Sequence, residues 1–525
     1  MELSIQPLWD NASLPSFPAL DRNLTADVVV VGAGIAGITA AHLLKQAGCR
    51  VALVERRSVG GTDTGCTTAH LTVVLDSDLP TLVSSFGEDH ARAAWDAGYA
   101  AIDQIERNVV DLGIDCDFSL VPGYRHVPFD CPEDRVGDER KTLDEEAVLA
   151  RRLGFDVTAV DRTPLFDRPG WRIENQALLH PRKYLRGLLE AIPGNGCTVW
   201  ENSEVQFDDD GGCRAGGHRI SAPWVVTATH NPIMGRASQA SAALQQMRLA
   251  LFTSYACSGM RRGDDDLLGC YWDTSSPYRY IRVDRTERGL QVIAGGEDHK
   301  TGQATDTRDV YAALERWAAS LLMDGPSASS IDHRWSGQVI ESNDGLPVIG
   351  EITERQFAGT GFAGNGMTFG TLTAMMARDA ITGKANPWSE LFAPGRSALA
   401  HKPWDYLRQN ADYPYYLVRD RFAGADSRTL RAVQRGFGRI VEVDGQFVAA
   451  YRDKRGSLTT LSATCTHLGC RVGWNSAEQT WDCPCHGSRF DTEGKVLAGP
   501  AEAPLARVNI EARSGEEAAS AARTR

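Results

Sequence analysis

Asp27-Val28-Val29-Val30-Val31-Gly32-Ala33-Gly34-Ile35-Ala36-Gly37 opens the stretch whose reading decides the fold. A β-branched run stops at a glycine, and three glycines follow in the spacing G-x-G-x-x-G. Helical residues then continue to about Ala47, and a second strand, Val51 to Val54, ends on Glu55. This is a complete βαβ opening. The glycines permit a tight turn and let a pyrophosphate approach the helix start, while Glu55 sits where an acid hydrogen-bonds an adenosine ribose. With the acid about 20 residues beyond the first glycine, the pattern specifies a dinucleotide rather than a structural turn. Residues 28–44 are apolar enough to suggest a short membrane span, but Gly32, Gly34, Gly37, Thr39 and His42 interrupt them, and strand-turn-helix explains them better.

A second match, Gly359-Thr360-Gly361-Phe362-Ala363-Gly364, does not specify a second nucleotide domain. After a helix over about 367–381 the chain runs into Thr382-Gly383-Lys384-Ala385-Asn386-Pro387, with no returning strand and no acid. It reads as another loop and helix start aimed at the same cofactor. Between these ends, 199–208 and 224–229 read as strands, and Pro181 opens a helix to about Ala191. The acidic runs at 208–210 and 264–266 lie against glycine and read as solvated turns. Further on, 439–450, 456–463 and 481–490 read as short strands, and the tail from Arg513 as disordered.

Near the C-terminus stands Cys465-Thr466-His467-Leu468-Gly469-Cys470, and thirteen residues later Cys483-Pro484-Cys485-His486-Gly487-Ser488. In a Rieske [2Fe-2S] centre two Cys hold one iron and two His the other, so the pattern is one Cys-x-His arm and one Cys-x-x-His arm. Cys465 with His467, and Cys483 with His486, supply them. Zinc is the competing metal, but its arms rarely pair in this way across about fifteen residues.

The 525 residues suffice for several domains with ample core, and 42% hydrophobic with 23% charged residues fits a globular protein. A net charge of −13, with no Lys/Arg block, argues against a nucleic-acid partner. The start lacks a basic region followed by an apolar run, so no secretory signal is read and the expected location is cytoplasmic, with no transmembrane segment. Four of the 12 Cys fall within 465–485; scattered ones such as Cys49, Cys197 and Cys270 read as buried thiols.

Residues 27–55, with Gly60-Gly61-Thr62-Asp63-Thr64-Gly65-Cys66-Thr67-Thr68-Ala69-His70, resemble the D-amino-acid oxidase / glycine oxidase class of FAD-dependent oxidoreductases. The resemblance continues through Glu201-Asn202-Ser203-Glu204-Val205, Val225 to Thr229, Asp344-Gly345-Leu346-Pro347-Val348-Ile349-Gly350 and Gly361 to Thr368, covering roughly 20–395. The whole is similar to proteins related to γ-glutamylputrescine oxidoreductase that carry a C-terminal Rieske domain. The resemblance implies that Gly32, Gly34 and Gly37 meet the FAD pyrophosphate, Glu55 the ribose and Val205 the adenine. It puts Thr67, Thr68 and His70 beside the flavin ring, and Gly364, Gly366, Met367 and Thr368 over its pyrimidine end. His70 stands where relatives often carry Lys. His299 matches a place where amine-oxidising relatives keep a histidine facing the substrate; as a lone residue it reads equally as a surface-loop histidine. His70 and His299 are the candidate catalytic residues.

The expected architecture is α/β plus β: a Rossmann-type FAD-binding domain (22–82, 175–245, 330–395), an interleaved α+β substrate domain (83–174, 246–329), a linker (396–428), a small all-β Rieske domain (429–511) and a disordered tail (512–525). Likeness to Rieske proteins of the cytochrome bc type implies a Cys470–Cys485 disulfide, which oxygenase-type domains lack. Those oxygenases also need a downstream iron site with two His and a carboxylate, and no His follows His486. Gly499-Pro500-Ala501 fits the loop that shields the cluster, and Ser488 a hydroxyl donor to its sulfur. Phe490 replaces a tyrosine of the quinol-oxidising proteins, which implies a potential within about −150 to +300 mV but below theirs. The implied function is oxidation of a small amine or amino acid by hydride transfer to flavin, with electrons passing singly through the cluster to an unidentified acceptor. The alternative is a flavin/Rieske electron-transfer module serving a partner protein.

Overall fold

Four consecutive valines, Val28–Val31, form a strand with every side chain buried, as a strand covered on both faces requires. It is central in a six-stranded sheet of order Val348–Thr353, Gln356–Thr360, Trp224–Thr227, Val28–Val31, Val51–Val54, Thr198–Trp200. All neighbours are parallel except the first pair. Helix Ile35–Gln46 follows the central strand and packs against Gly366–Ile381. A Cβ at Gly370 would lie 3.0 Å from Ile35 Cγ2, so the two helices approach closely near their starts. The second glycine-rich run therefore serves the same sheet as the first. The structure, a computed structural model, describes residues 5–207, 212–231, 249–304, 306–322, 331–396, 424–427 and 429–509.

A larger sheet, mostly antiparallel, runs in the order Ile331–Ser342, Leu249–Arg261, Gly289–Lys300, Tyr280–Thr286, Gly269–Asp273, Ser119–His126, Gly170–Leu178, His70–Leu71. The amphipathic helices Glu88–Leu112 and Glu133–Arg152 accompany it. A small sheet of Leu24–Thr25, His218–Ser221, Cys213–Ala215 and Val205–Phe207 buries Val205. The α/β sheet with an interleaved second domain is thus as expected, but the strand read over 199–208 is two. Thr198–Trp200 joins the large parallel sheet and Val205–Phe207 the small one, separated by Asn202 at φ 49°.

The chain forms two units, Gln6–Asp298 with Ala312–Tyr406, and Met1–Ile5, His299–Tyr311 with Leu407–Arg525. The second is β-rich, with sheets of Phe437–Val443, Gln446–Arg452, Leu458–Ser462 and of Gly473–Asn475, Thr480–Asp482, Arg489–Phe490, Val496–Ala498. Trp481, Phe490, Leu461 and Ile440 form its core. Two strand expectations are corrected here. Asp444-Gly445, both at positive φ, turn 439–450 into a hairpin, and the loop 483–488 interrupts 481–490. The substrate-domain range 246–329 is also cut, because 299–311 group with this unit through bonds from Thr307 to Asn475 and from Ser476 to Asp306.

The acid turn at Asp265–Leu267 is confirmed as a surface turn, with Asp265 paired to Arg285. The 208–210 turn, most of the 396–428 linker and the 512–525 tail lie outside the described residues. Among the described residues no helix is long and apolar enough to cross a membrane.

Candidate flavin and iron-sulfur sites

The first glycine loop is shaped so that no side chain could stand in it. A Cβ at Gly32 (φ 99°) would lie 2.5 Å from Ala228 O, and one at Gly37 1.9 Å from Gly32 O. Gly34 caps the helix without a side-chain bond, so the N–H groups of its first turn are left for a ligand and Thr64 Oγ1, which accepts from Ile35 N at 3.2 Å. Glu55 Oε2 accepts from Ala33 N–H at 2.8 Å and Oε1 from Arg57 N–H at 2.9 Å. Each carboxylate oxygen retains a lone pair for a ribose hydroxyl.

The second loop behaves alike. Helix Gly366–Ile381 has Asn365 as its N-cap without a side-chain cap bond, because the Asn365 amide donates to Val74 O instead. Thr368 is wholly buried with its hydroxyl unpartnered, and Met367 is buried beside it. Two open helix starts near each other, glycine cradles and an orphaned hydroxyl fit a pyrophosphate-bearing flavin.

The Thr67–His70 loop is held from several sides. Trp9 Nε1 donates to Thr67 O at 2.5 Å, and Thr67 Oγ1 accepts from Ala69 N. Arg282, almost wholly buried, donates to Thr68 O at 3.1 Å and Ala69 O at 3.0 Å, and pairs with Asp284. His70 Nδ1 meets Thr68 Oγ1 at 3.0 Å and Nε2 meets Ile281 O at 3.2 Å. Because a carbonyl can only accept, Nε2 carries the proton and Nδ1 accepts. Burial pushes this histidine down to about 4, so it is a neutral ring with both nitrogens engaged, standing edge-on to Tyr280. It buttresses the loop and is not placed as a free base.

Next to Gly364 lies a group that sequence reading missed. Tyr278 OH donates to Asp76 Oδ1 at 3.0 Å, and a Cβ at Gly364 would sit 3.6 Å from that hydroxyl and 4.0 Å from that carboxylate. Tyr280 OH and Ser254 Oγ are 3.0 Å apart, and Ser254 also bonds Asp298. Asp76 retains solvent exposure, and its carboxyl also lies near Glu341 and Asp298. Burial raises Asp76 well above the usual carboxylate range, and burial raises Asp298 to about 6. His299, one residue beyond, belongs to the other unit. At this strand end the Asp298 side chain reaches Ser254.

In the C-terminal unit the four expected ligands come from two loops. Cys465 N donates to Cys470 O at 2.8 Å and Cys483 N to Ser488 O at 2.8 Å, closing each loop on itself. The His467 and His486 rings stand 4.9 Å apart, nearly perpendicular. Burial holds both down to about 4, the neutral form that binds metal, and His467 Nδ1 is buried without a partner. The Cys465 thiol is drawn down to about 7, first by a hydrogen bond with Cys483, and Ser488 contributes a further bond. Two sulfurs meeting, two neutral imidazoles and an orphaned ring nitrogen fit a cluster held by Cys465, His467, Cys483 and His486. Cys470 and Cys485 form a disulfide that ties the loops together. Cys470, Cys483 and Cys485 also bring their sulfurs within 4.8 Å of one another, but two of these are oxidised to each other and cannot ligate. Gly499 packs on Gly487 and Ser488, and Ala501 N donates to Ser488 Oγ at 3.1 Å, so this third loop covers the second. Phe490 is buried in the core.

Residues 27–380 match the family described as FAD dependent oxidoreductase (DAO), and 426–509 the Rieske [2Fe-2S] domain. The chain is 31% identical over 512 residues to the "Putative Rieske 2Fe-2S iron-sulfur protein YhfW" of Bacillus subtilis, covering 96% of this chain and 97% of that one. It is 24% identical over 427 residues to the gamma-glutamylputrescine oxidoreductase of Escherichia coli, covering 77% and 95%. Glycine oxidase from Geobacillus kaustophilus shares its fold at TM-score 0.55 and 19% identity, over 71% of this chain and 99% of that one.

Proposed function

Since the chain belongs to the FAD dependent oxidoreductase family and ends in a Rieske [2Fe-2S] domain, we propose that it oxidises a small amine or amino acid and delivers the electrons singly to an external acceptor. The observation that carries this reading is the cluster of Asp76 and Tyr278 beside Gly364 with Tyr280, Ser254 and Asp298. A carboxylate at Asp298 flanked by phenols suits a cationic nitrogen. When bound, FAD supplies a two-electron hydride acceptor and the [2Fe-2S] cluster a one-electron carrier.

The chain's own residues supply binding and orientation. Gly32, Gly34, Gly37 and Glu55 would hold the pyrophosphate and ribose, Val205 the adenine, and Thr67, Thr68, Gly364, Gly366, Met367 and Thr368 the ring. Arg282 and His70 keep the Thr67–His70 loop in place. Asp298 would pair with the substrate's ammonium and accept one proton from it, leaving the neutral amine whose adjacent carbon loses hydride, and Tyr278 and Tyr280 would exclude water from that carbon. The resulting imine hydrolyses with water to a carbonyl compound and an amine or ammonia. One relative is a gamma-glutamylputrescine oxidoreductase, which supports an amine of that general kind. A cytoplasmic setting belongs to the same reading and is supported by buried free thiols such as Cys116, Cys257 and Cys270.

A second reading, an electron-transfer module serving a partner protein, is favoured by Leu468. It lies next to the ligand His467 and is 48% exposed, an apolar contact at the tip of a cluster loop. The test is an anaerobic panel of amines and amino acids on the protein carrying both cofactors, with flavin bleaching and the cluster's signal followed together. The proposal expects both to respond to one class of amine. Flavin reduction with a permanently oxidised cluster overturns the coupling, and no response to any amine or amino acid leaves the second reading.

A further inference from the structure

The second unit contains a segment that no Rieske sequence pattern covers. His299–Tyr311 lies more than a hundred residues before Cys465, yet it groups with the cluster loops, and its bonds reach the arm that presents Cys483 and His486. Gln303 Nε2 donates to Pro484 O at 3.1 Å. Gly302, at φ 81°, runs so close that a Cβ would stand 2.7 Å from the carbonyl carbon of Cys483 and 2.8 Å from Pro484 N. Backbone thus lies against the peptide that joins a ligand to its neighbour. Further along, Thr307 Oγ1 donates to Asn475 Oδ1 at 2.7 Å and accepts from Ala477 N at 3.0 Å, while Ser476 Oγ donates to Asp306 Oδ1 at 2.6 Å.

These anchors continue into the arm itself. Asn475 Nδ2 donates to Asp482 Oδ2 at 2.9 Å, and Thr480 Oγ1 donates to Asp482 Oδ1 at 2.8 Å. Asp482 is buried, is also bonded by Arg489, and immediately precedes Cys483. A connected set of hydrogen bonds therefore runs from Thr307 through Asn475 and Asp482 to a ligand, and a separate one from Gln303 to the next peptide. Outer partners of this kind fix ligand orientation and tune the metal's potential.

We infer that the 299–311 segment is a strap for the cluster, with Gln303 and Thr307 as positioning residues that set the geometry of the Cys483–His486 arm. The Rieske unit is then discontinuous in sequence, and 426–509 is only part of what holds the cluster. Pro484 has no N–H, and Gln303 takes up the carbonyl of that residue. Loss of that bond would free the arm and shift the cluster's potential.

The test uses the full chain with both cofactors and the substitutions Gln303→Leu and Thr307→Val, with Thr307→Ser as the conservative control. Readouts are the cluster's EPR g values, its midpoint potential by voltammetry, its rate of iron loss to a chelator, and FAD content. The expected result is altered g values, a shifted potential and several-fold faster iron loss in Gln303→Leu and Thr307→Val, with FAD content unchanged and Thr307→Ser like the parent. Unchanged g values and potential in both variants overturn the inference. Loss of FAD in proportion to cluster also overturns it, since the effect is then general unfolding. None of these readouts needs a substrate, so a failed amine screen leaves the inference standing.

Discussion

At the flavin loop a side chain is an obstacle: a Cβ at Gly37 would lie 1.9 Å from Gly32 O and one at Gly32 2.5 Å from Ala228 O. At the C-terminal loops the side chain is the site, since Cys465, His467, Cys483 and His486 would bond iron directly while the backbone mainly points them. The first site is made of N–H groups, helix starts and empty space, so it is sensitive to added atoms. The second is made of four donor atoms, so it is sensitive to removed ones. The disulfide and the shielding loop around Ser488 add rigidity that the flavin loop obtains from sheet and helix packing.

That contrast is most easily broken at the cluster. Cys465→Ser or His467→Ala should abolish the cluster's EPR and visible signals while FAD content stays near that of the parent. A cluster that survives either change would mean that the ligands are misassigned. Next in size comes Gly37→Ala, which forces a methyl into Gly32 O. Overpacking of this kind costs about 1–3 kcal/mol or more, and because the strain falls on the loop itself, FAD content should drop to a small fraction. The cluster's iron content should stay unchanged. Flavin fluorescence after release, together with iron analysis, checks both halves.

How far these sites are legible in the sequence follows from what they are made of. Four ligand side chains at fixed spacing are visible as letters, and a loop that excludes side chains is visible as glycines between strand and helix. The polar cluster beside Gly364 is neither. Asp76, Tyr278, Tyr280, Asp298 and Ser254 come from distant strands and loops, and only the pairing of Tyr280–Thr286 with Gly289–Lys300 and its neighbours brings most of them together. The unit boundary falls between Asp298 and the candidate His299, and neither that boundary nor the exact end of a strand can be placed from periodicity alone. The strand read over 199–208 fails for a local reason, since Asn202 in a left-handed conformation divides it between two sheets. The strap at 299–311 carries no motif at all.

A smaller effect probes that polar cluster. Asp298→Asn should raise KM for a cationic amine about tenfold, the worth of one charge-assisted hydrogen bond, with less effect on kcat. Burial raises Asp298 to about 6 from its usual value near 3.8, so its ionised form is disfavoured in the folded protein. The resulting penalty is absent below about pH 4, grows between pH 4 and 6, and is complete above that. In the parent, KM should therefore fall as pH rises through about 6, and in Asp298→Asn that dependence should vanish. The variant should also gain thermal stability at pH 7 and not at pH 4. Pre-steady-state flavin reduction across this pH range checks the first claim, and thermal melts the second.

The smallest effect sharpens the cluster side. Phe490 is wholly buried on the strand after Ser488 and pairs across to Trp481, so Phe490→Tyr adds one hydroxyl to a filled core. A buried hydroxyl must find an acceptor, and if a ligand sulfur accepts, the reduced cluster is stabilised more than the oxidised one. A hydrogen bond of about 1 kcal/mol corresponds to a rise of about 40 mV for a one-electron couple. If the hydroxyl finds no sulfur, the potential stays put and stability falls instead, by the roughly 1–3 kcal/mol of an unsatisfied buried group. Voltammetry and a thermal melt on the same variant separate these outcomes. Only a raised potential would show that this site lies one hydrogen bond below the tyrosine-bearing Rieske centres.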